Sequence, residues 1–294
     1  MSSEGFILIA LACWGFWGIF EKKALSFASS KEVLVTLYLL NSIQIPIIAC
    51  ILNATKPHWH LTSESLFWSG LASLTYAVAM LAYLRALSKS EASYVLGTTA
   101  CYPVISLLLA TPFLGEQFSL LRFCGSMIVA FGIFAIGLPN GKKQAMTPLS
   151  KEVKVCVFIA AFAWGLWGVI DKKAVSIADP LEITLGRYLW DAIILIFIIQ
   201  MFRRNGDKID LRKSGMWKFC TLSAICLAFG GFSYLSAMKL LPASYVISIT
   251  SCYPVIMYVL AVSFLNERFS AARFAGIGLV VLGGMLVHFT HTLG

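Results

Sequence analysis

The chain carries the same text twice. Trp14-Gly15-Phe16-Trp17-Gly18-Ile19-Phe20-Glu21-Lys22-Lys23-Ala24 returns 150 positions later as Trp164-Gly165-Leu166-Trp167-Gly168-Val169-Ile170-Asp171-Lys172-Lys173-Ala174. Ser93-Tyr94-Val95 with Cys101-Tyr102-Pro103-Val104-Ile105 returns 151 positions later as Ser244-Tyr245-Val246 with Cys252-Tyr253-Pro254-Val255-Ile256. Glu116-Gln117-Phe118-Ser119 with Arg122-Phe123 matches Glu267-Arg268-Phe269-Ser270 with Arg273-Phe274. Two homologous units follow, over residues 1–140 and 153–290, and any fold must accommodate both.

Each unit is apolar. Hydrophobic residues make up 59% of the chain and charged residues 13%, about half the charge of an ordinary soluble domain. Mean hydropathy is +0.83. The apolar residues fall into ten runs, at about 5–21, 33–53, 66–86, 92–113, 120–139, 153–170, 181–202, 215–237, 243–265 and 272–290. Each is long enough as a helix to cross a hydrocarbon core of roughly 30 Å. The expected fold is therefore an all-α integral membrane protein of ten transmembrane helices, five per unit. Met1-Ser2-Ser3-Glu4 has no basic residue, and the first run recurs in mid-chain, so it reads as a structural helix rather than a signal peptide. The eight cysteines lack metal-ligand spacing and read as small packing residues; no metal site and no cofactor are expected.

The formal charge of +9 is a topology signal rather than a nucleic-acid footprint. Of the 23 lysines and arginines, 17 lie in the loops that join odd to even helices and five on the opposite side, with Arg187 inside a helix. The positive-inside rule places the first set in the cytoplasm and both termini outside. Because each unit holds an odd number of spans, the two are inverted with respect to each other. Lys22 and Lys23 accordingly fall on the basic side and Lys172 and Lys173 on the other. Inverted repeats suit alternating access, since exchanging the conformations of the halves moves the opening from one face to the other.

The Trp-Gly openings of helices one and six, the Gly115-Glu116 and Asn266-Glu267 turns, and the Gly125…Gly132 and Gly276…Gly283 pairs resemble the EamA domain of the drug/metabolite transporter superfamily. The resemblance spans the chain as two tandem domains. It implies a ten-helix carrier with a central cavity between helices 1–4 and 6–9, helices five and ten standing to one side. Members move amino acids, other small metabolites, nucleotide sugars or sugar phosphates, and many bacterial ones are exporters. A bacterial plasma membrane is the expected location. The family often carries an arginine near the start of helices two and seven. Arg187 fits in helix seven, but its counterpart is Leu37, so an asymmetric site is expected.

Several residues are candidates for that site. Arg187 and Asp191, four apart on helix seven, lie about 9 and 15 Å into the bilayer, where charge is costly. They read either as an internal ion pair or as a site for a substrate carboxylate or phosphate (Arg187) and an amine or proton (Asp191). Trp14 and Trp164 lie too deep for an interfacial belt. With Trp17 and Trp167 they form indole stripes that either pack helices or wall a cavity. Tyr94, Tyr102, Tyr245 and Tyr253 have the same two readings, and Tyr38, Tyr83 and Tyr234 complete the aromatic candidates. Pro103 and Pro254 are expected to kink the middles of helices four and nine and to act as hinges. Gly125, Gly132, Gly276 and Gly283 are expected to pack helices five and ten closely, within the chain or in a homodimer. Glu21-Lys22-Lys23 and Asp171-Lys172-Lys173 read as solvated anchors or as basic rims for anionic cargo, and Glu21 reads as too near the interface for a proton-coupling carboxylate.

No enzyme is expected. His58, His60, His288 and His291 have no repeated acidic partner, and no G-x-x-x-x-G-K-[ST] loop supports ATP drive. The reading is a secondary carrier, exporting or exchanging a small polar metabolite such as an amino acid, with sugar-phosphate or nucleotide-sugar exchange as the alternative. Its partners would be that solute and the lipid bilayer, and no nucleic acid.

Overall fold

The computed structural model describes residues 2–56, 58–90, 95, 99, 101–137, 150–265 and 271–292. Among them the helices are α1 (Ser3–Ala24), α2 (Ser30–Thr55), α3 (Ser63–Lys89), α4 (Tyr102–Leu114), α5 (Leu120–Gly137), α6 (Lys151–Ile177), α7 (Pro180–Arg204), α8 (Ser214–Leu240), α9 (Ala243–Thr250), α10 (Tyr253–Leu265) and α11 (Ala271–Thr292). Helices α9 and α10 are two pieces of one span, so the chain crosses ten times. Eight of these spans are long and apolar enough to cross a membrane, and two shorter apolar helices accompany them. Large side chains such as Phe158, Phe197 and Phe229 point outward, more than 60% exposed. That suits a hydrocarbon surrounding and no aqueous one.

The local signals that start these helices also reveal the inversion. Ser29 and Asp179, 150 positions apart, each cap a helix in a capping box closed by Glu32 and Glu182. Helix α8 spans about 40 Å between its ends. At its start, Lys213 Nζ donates to Glu32 Oε1 and Oε2 at 2.9 and 2.7 Å. At its far end, Lys239 lies 3.8 Å from Asp179, which also pairs with Lys56. Equivalent starts of α2 and α7 thus sit at opposite ends of α8. We call these the basic end (Glu32) and the opposite end (Asp179). Burial raises the Asp179 carboxyl, but the Lys56 ammonium and the Leu181 N–H hold it below its ordinary value.

Packing repeats the same symmetry. Helix α1 packs on α8 and α10, while α6 packs on α3 and α4; α2 packs on its own counterpart α7. A Cβ on Gly15 would meet Ile256 Cγ2 at 2.5 Å, and one on Gly165 would meet the equivalent Ile105 Cγ2 at 2.7 Å. Helices α5 and α11 pack principally on each other. There the expected glycines serve contacts inside the chain: a Cβ on Gly132 would stand 2.7 Å from Gly276 O, and one on Gly276 equally close to Gly132 O. Gly125 and Gly283 make the same reciprocal approach. Backbones can come this close only where side chains are missing.

The prolines do something other than kink a continuous helix. Helix α9 stops at Thr250, Ser251 and Cys252 turn, and α10 restarts at Tyr253 with Pro254 in its first turn. Helix α4 likewise begins at Tyr102 with Pro103 in its first turn. Proline fits a first turn because the N–H it lacks would have no partner there. The span of the second repeat is broken there, and each proline sits in the first turn of the helix it opens.

Candidate functional site

A cavity lies where the six long helices α1–α3 and α6–α8 converge, with about 860 Å³ of unfilled space, open solvent at its mouth included. Its walls are mostly aromatic: Trp14 and Trp17 from α1, Trp164 and Trp167 from α6, Tyr76 from α3 and Tyr188 from α7. Tyr102 and Tyr253, the first residues of α4 and α10, also line it. Leu227, Ala228, Gly231, Phe232 and Leu235 give α8 an apolar side.

Trp14 lies 5.0 Å from Tyr234 and 6.2 Å from Tyr253, centroid to centroid. Its counterpart Trp164 lies 5.1 Å from Tyr83 and 6.3 Å from Tyr102. The indoles therefore pack against these tyrosines and line the cavity at once. The Nε1 donors of Trp17 and Trp167 have no hydrogen-bond partner.

The polar groups are concentrated on the second repeat. Arg187 and Asp191 both reach the cavity, joined by Thr184 from the same helix and by Asn41 from α2. Arg187 and Asp191 do not pair with each other as their spacing suggested. Arg187 Nη1 donates to Asp171 Oδ2 at 3.4 Å, and the guanidinium lies 5.1 Å from the Trp167 ring centre. Asp191 Oδ2 accepts from Asn41 Nδ2 at 2.9 Å, a bond between residues equivalent in the two repeats. It marks where the pseudo-twofold axis passes between α2 and α7. Asp191 Oδ1 and Asp171 Oδ1 remain without partners.

The acidic members of the clusters at the ends of α1 and α6 are not solvated. Asp171 is fully buried and Glu21 2% exposed, because these helices run on to Ile177 and Ala24. Lys172 does not form a basic rim either; its ammonium donates to the Met238 and Leu241 carbonyls at 2.6 and 2.8 Å.

Four of the expected tyrosines stand away from the cavity surface. Tyr83 and Tyr234 form the layer behind the tryptophans. Tyr38 is 1% exposed in the core. The Tyr245 hydroxyl pairs with His288 Nδ1 at 2.8 Å near the opposite end. Tyr94 lies outside the described residues. The lining residues Asn41, Tyr76, Thr184 and Tyr188 had no sequence signal of their own, although Asn41 is the repeat counterpart of Asp191.

Residues 1–138 and, separately, 154–289 match the EamA-like transporter family. The chain belongs to that family. A relative in Archaeoglobus fulgidus, named an uncharacterized transporter, is 24% identical over 286 residues, covering 95% of each chain. The uncharacterized transporter YojE of Bacillus subtilis is 22% identical over 206 residues, covering 69% of this chain and 64% of its own. A solved crystal structure with 15% identity superposes with a TM-score of 0.79 over 98% of this chain and 97% of the other. This EamA-like chain is thus a multi-pass membrane transporter. Its fold is shared with a solved structure.

Proposed function

We propose that this EamA-like protein is a secondary carrier that exports or exchanges an amino acid by alternating access. The observation that carries the reading is the charge set facing one aromatic cavity. Arg187 has guanidinium donors beyond the one held by Asp171, and Asp191 keeps an oxygen free. A zwitterion matches this pair, its carboxylate toward Arg187 and its ammonium toward Asp191. The indole and phenol walls take the side chain, with Trp167 beside Arg187.

The same set argues against a sugar phosphate or nucleotide sugar. A phosphate would have to be held by one arginine already shared with Asp171 and accompanied by Asp191. Among the described residues no lysine lines the cavity. A plasma-membrane location with the basic end in the cytoplasm fits the loop charges.

The test is a thermal-shift screen of purified protein against the L-amino acids, sugar phosphates and nucleotide sugars, repeated with Asp191→Asn. A ligand at 100 times its Kd adds about 2.7 kcal/mol to the folded state. One or more amino acids should stabilise the wild type, and Asp191→Asn should lose most of that shift while its ligand-free melting stays close to wild type. Stabilisation by phosphorylated sugars alone would overturn the amino-acid reading.

A further inference from the structure

The equivalent helices α3 and α8 do not share the cavity evenly. Both are 27 residues long, and they align at an offset of 151 positions. Tyr83 packs on Trp164 as its counterpart Tyr234 packs on Trp14. Yet α8 gives the cavity five residues, Leu227, Ala228, Gly231, Phe232 and Leu235, whereas α3 gives it Tyr76 alone among the described residues. The difference centres on one pair. The counterpart of Gly231 is Met80, whose side chain is 1% exposed and fills its own corner of the core.

A glycine inside a helix is destabilising relative to alanine, so its place there needs a reason. For the neighbouring Gly230 the reason is packing, since a Cβ would stand 2.9 Å from Trp14 Cδ1 and Nε1. A Cβ on Gly231 would meet nothing within 4 Å. Its φ is negative, unlike those of Gly115 and Gly206, so no turn demands glycine either. Leu227 and Leu235 lie four residues to either side on the same face of α8, and the missing side chain leaves a notch between them that opens on the cavity.

We propose that Gly231 sets the substrate specificity of this carrier: the notch receives a large apolar side chain, about the size of leucine or methionine. The proposal rests on the amino-acid reading and narrows it to apolar amino acids. Arg187 and Asp191 on α7 hold the charged ends, and the notch on α8 sorts the side chains. A polar side chain finds no hydrogen-bonding side chain at Leu227, Ala228 or Leu235 and loses its water there. Alanine leaves the space unfilled, and each missing methylene in such a pocket costs roughly tenfold or more in affinity.

The experiment measures affinities for alanine, serine, leucine and methionine from the concentration dependence of the thermal shift. Wild type, Gly231→Ala and Gly231→Met, which installs the residue of the other repeat, are compared as full-length protein. Wild type should bind leucine and methionine at least about tenfold more tightly than alanine or serine. Gly231→Met should bring that preference to one or below while its affinity for alanine stays within a few fold, with Gly231→Ala between the two. Ligand-free Gly231→Met should melt at or above wild type, because it fills empty space with a better helix former. A size preference unmoved by Gly231→Met overturns the proposal and leaves the amino-acid reading standing. An equal loss for every amino acid also overturns it, since Gly231 would then serve close approach of helices rather than side-chain selection. If no amino acid binds wild type, the amino-acid reading fails and takes this proposal with it.

Discussion

Arg187→Ala is expected to destabilise the protein by roughly 3–5 kcal/mol and to remove ligand-induced stabilisation. Arg187 is the cation paired with Asp171, which is fully buried, and it stands four residues from Asp191, of which one oxygen is unpartnered. Removing the guanidinium leaves two carboxylates with no opposite charge in a region surrounded by lipid. The guanidinium also loses its contact with the Trp167 face, a smaller term of about 0.5–2 kcal/mol. The two roles separate in the double variant. Adding Asp171→Asn to Arg187→Ala removes the stranded charge, so the melting temperature should recover most of its loss while ligand stabilisation stays absent. Melting curves of the detergent-solubilised proteins decide this. A stable, ligand-responsive Arg187→Ala would remove the arginine from both roles.

Gly132→Val is expected to cost about 1–3 kcal/mol by forcing α5 and α11 apart. The new Cβ alone would stand 2.7 Å from Gly276 O and from Val280 N, both backbone atoms that cannot swing away. Within a bilayer, helix association depends on close packing rather than on hydrophobic exclusion from water, so lost approach is not offset elsewhere. Gly278→Val, two residues beyond Gly276 on α11, meets nothing within 4 Å and serves as the control. It should melt like wild type. Equal melting of the two variants would mean that the seam is not closed by its glycines.

Much of the architecture could be read from the residues, because span length and charge bias are set by the bilayer and survive any detail of packing. The ten spans, the duplication and the glycine seam belong to this part. So do Trp14, Trp17, Trp164, Trp167, Tyr102, Tyr253, Arg187 and Asp191 as cavity residues. Asp171 shows where such reading stops. Three consecutive charges, Asp171-Lys172-Lys173, closed the sixth apolar run, so residue 170 looked like the end of the helix and Asp171 like its solvated edge. The helix continues to Ile177 and carries the charge inside. Glu21 was misplaced for the same reason. Asn41, Tyr76 and Tyr188 depend on how α2, α3 and α7 rotate about their axes, which tertiary contacts fix and hydropathy does not. Pro103 and Pro254 were expected in the middle of continuous helices and stand in first turns, because sequence alone does not distinguish a kink from a new helix start.

The central claim is the inversion, because alternating access depends on it. Ser26 and Ser176 test it most directly: they are equivalent, both exposed, and each hydroxyl donates to a carbonyl three residues back, at Lys23 and Lys173. In a cysteine-free background, Ser26→Cys and Ser176→Cys are labelled in intact cells with a membrane-impermeant maleimide. Ser176→Cys should react from outside, and Ser26→Cys only after the cells are opened. Labelling of both from the same face would contradict the account.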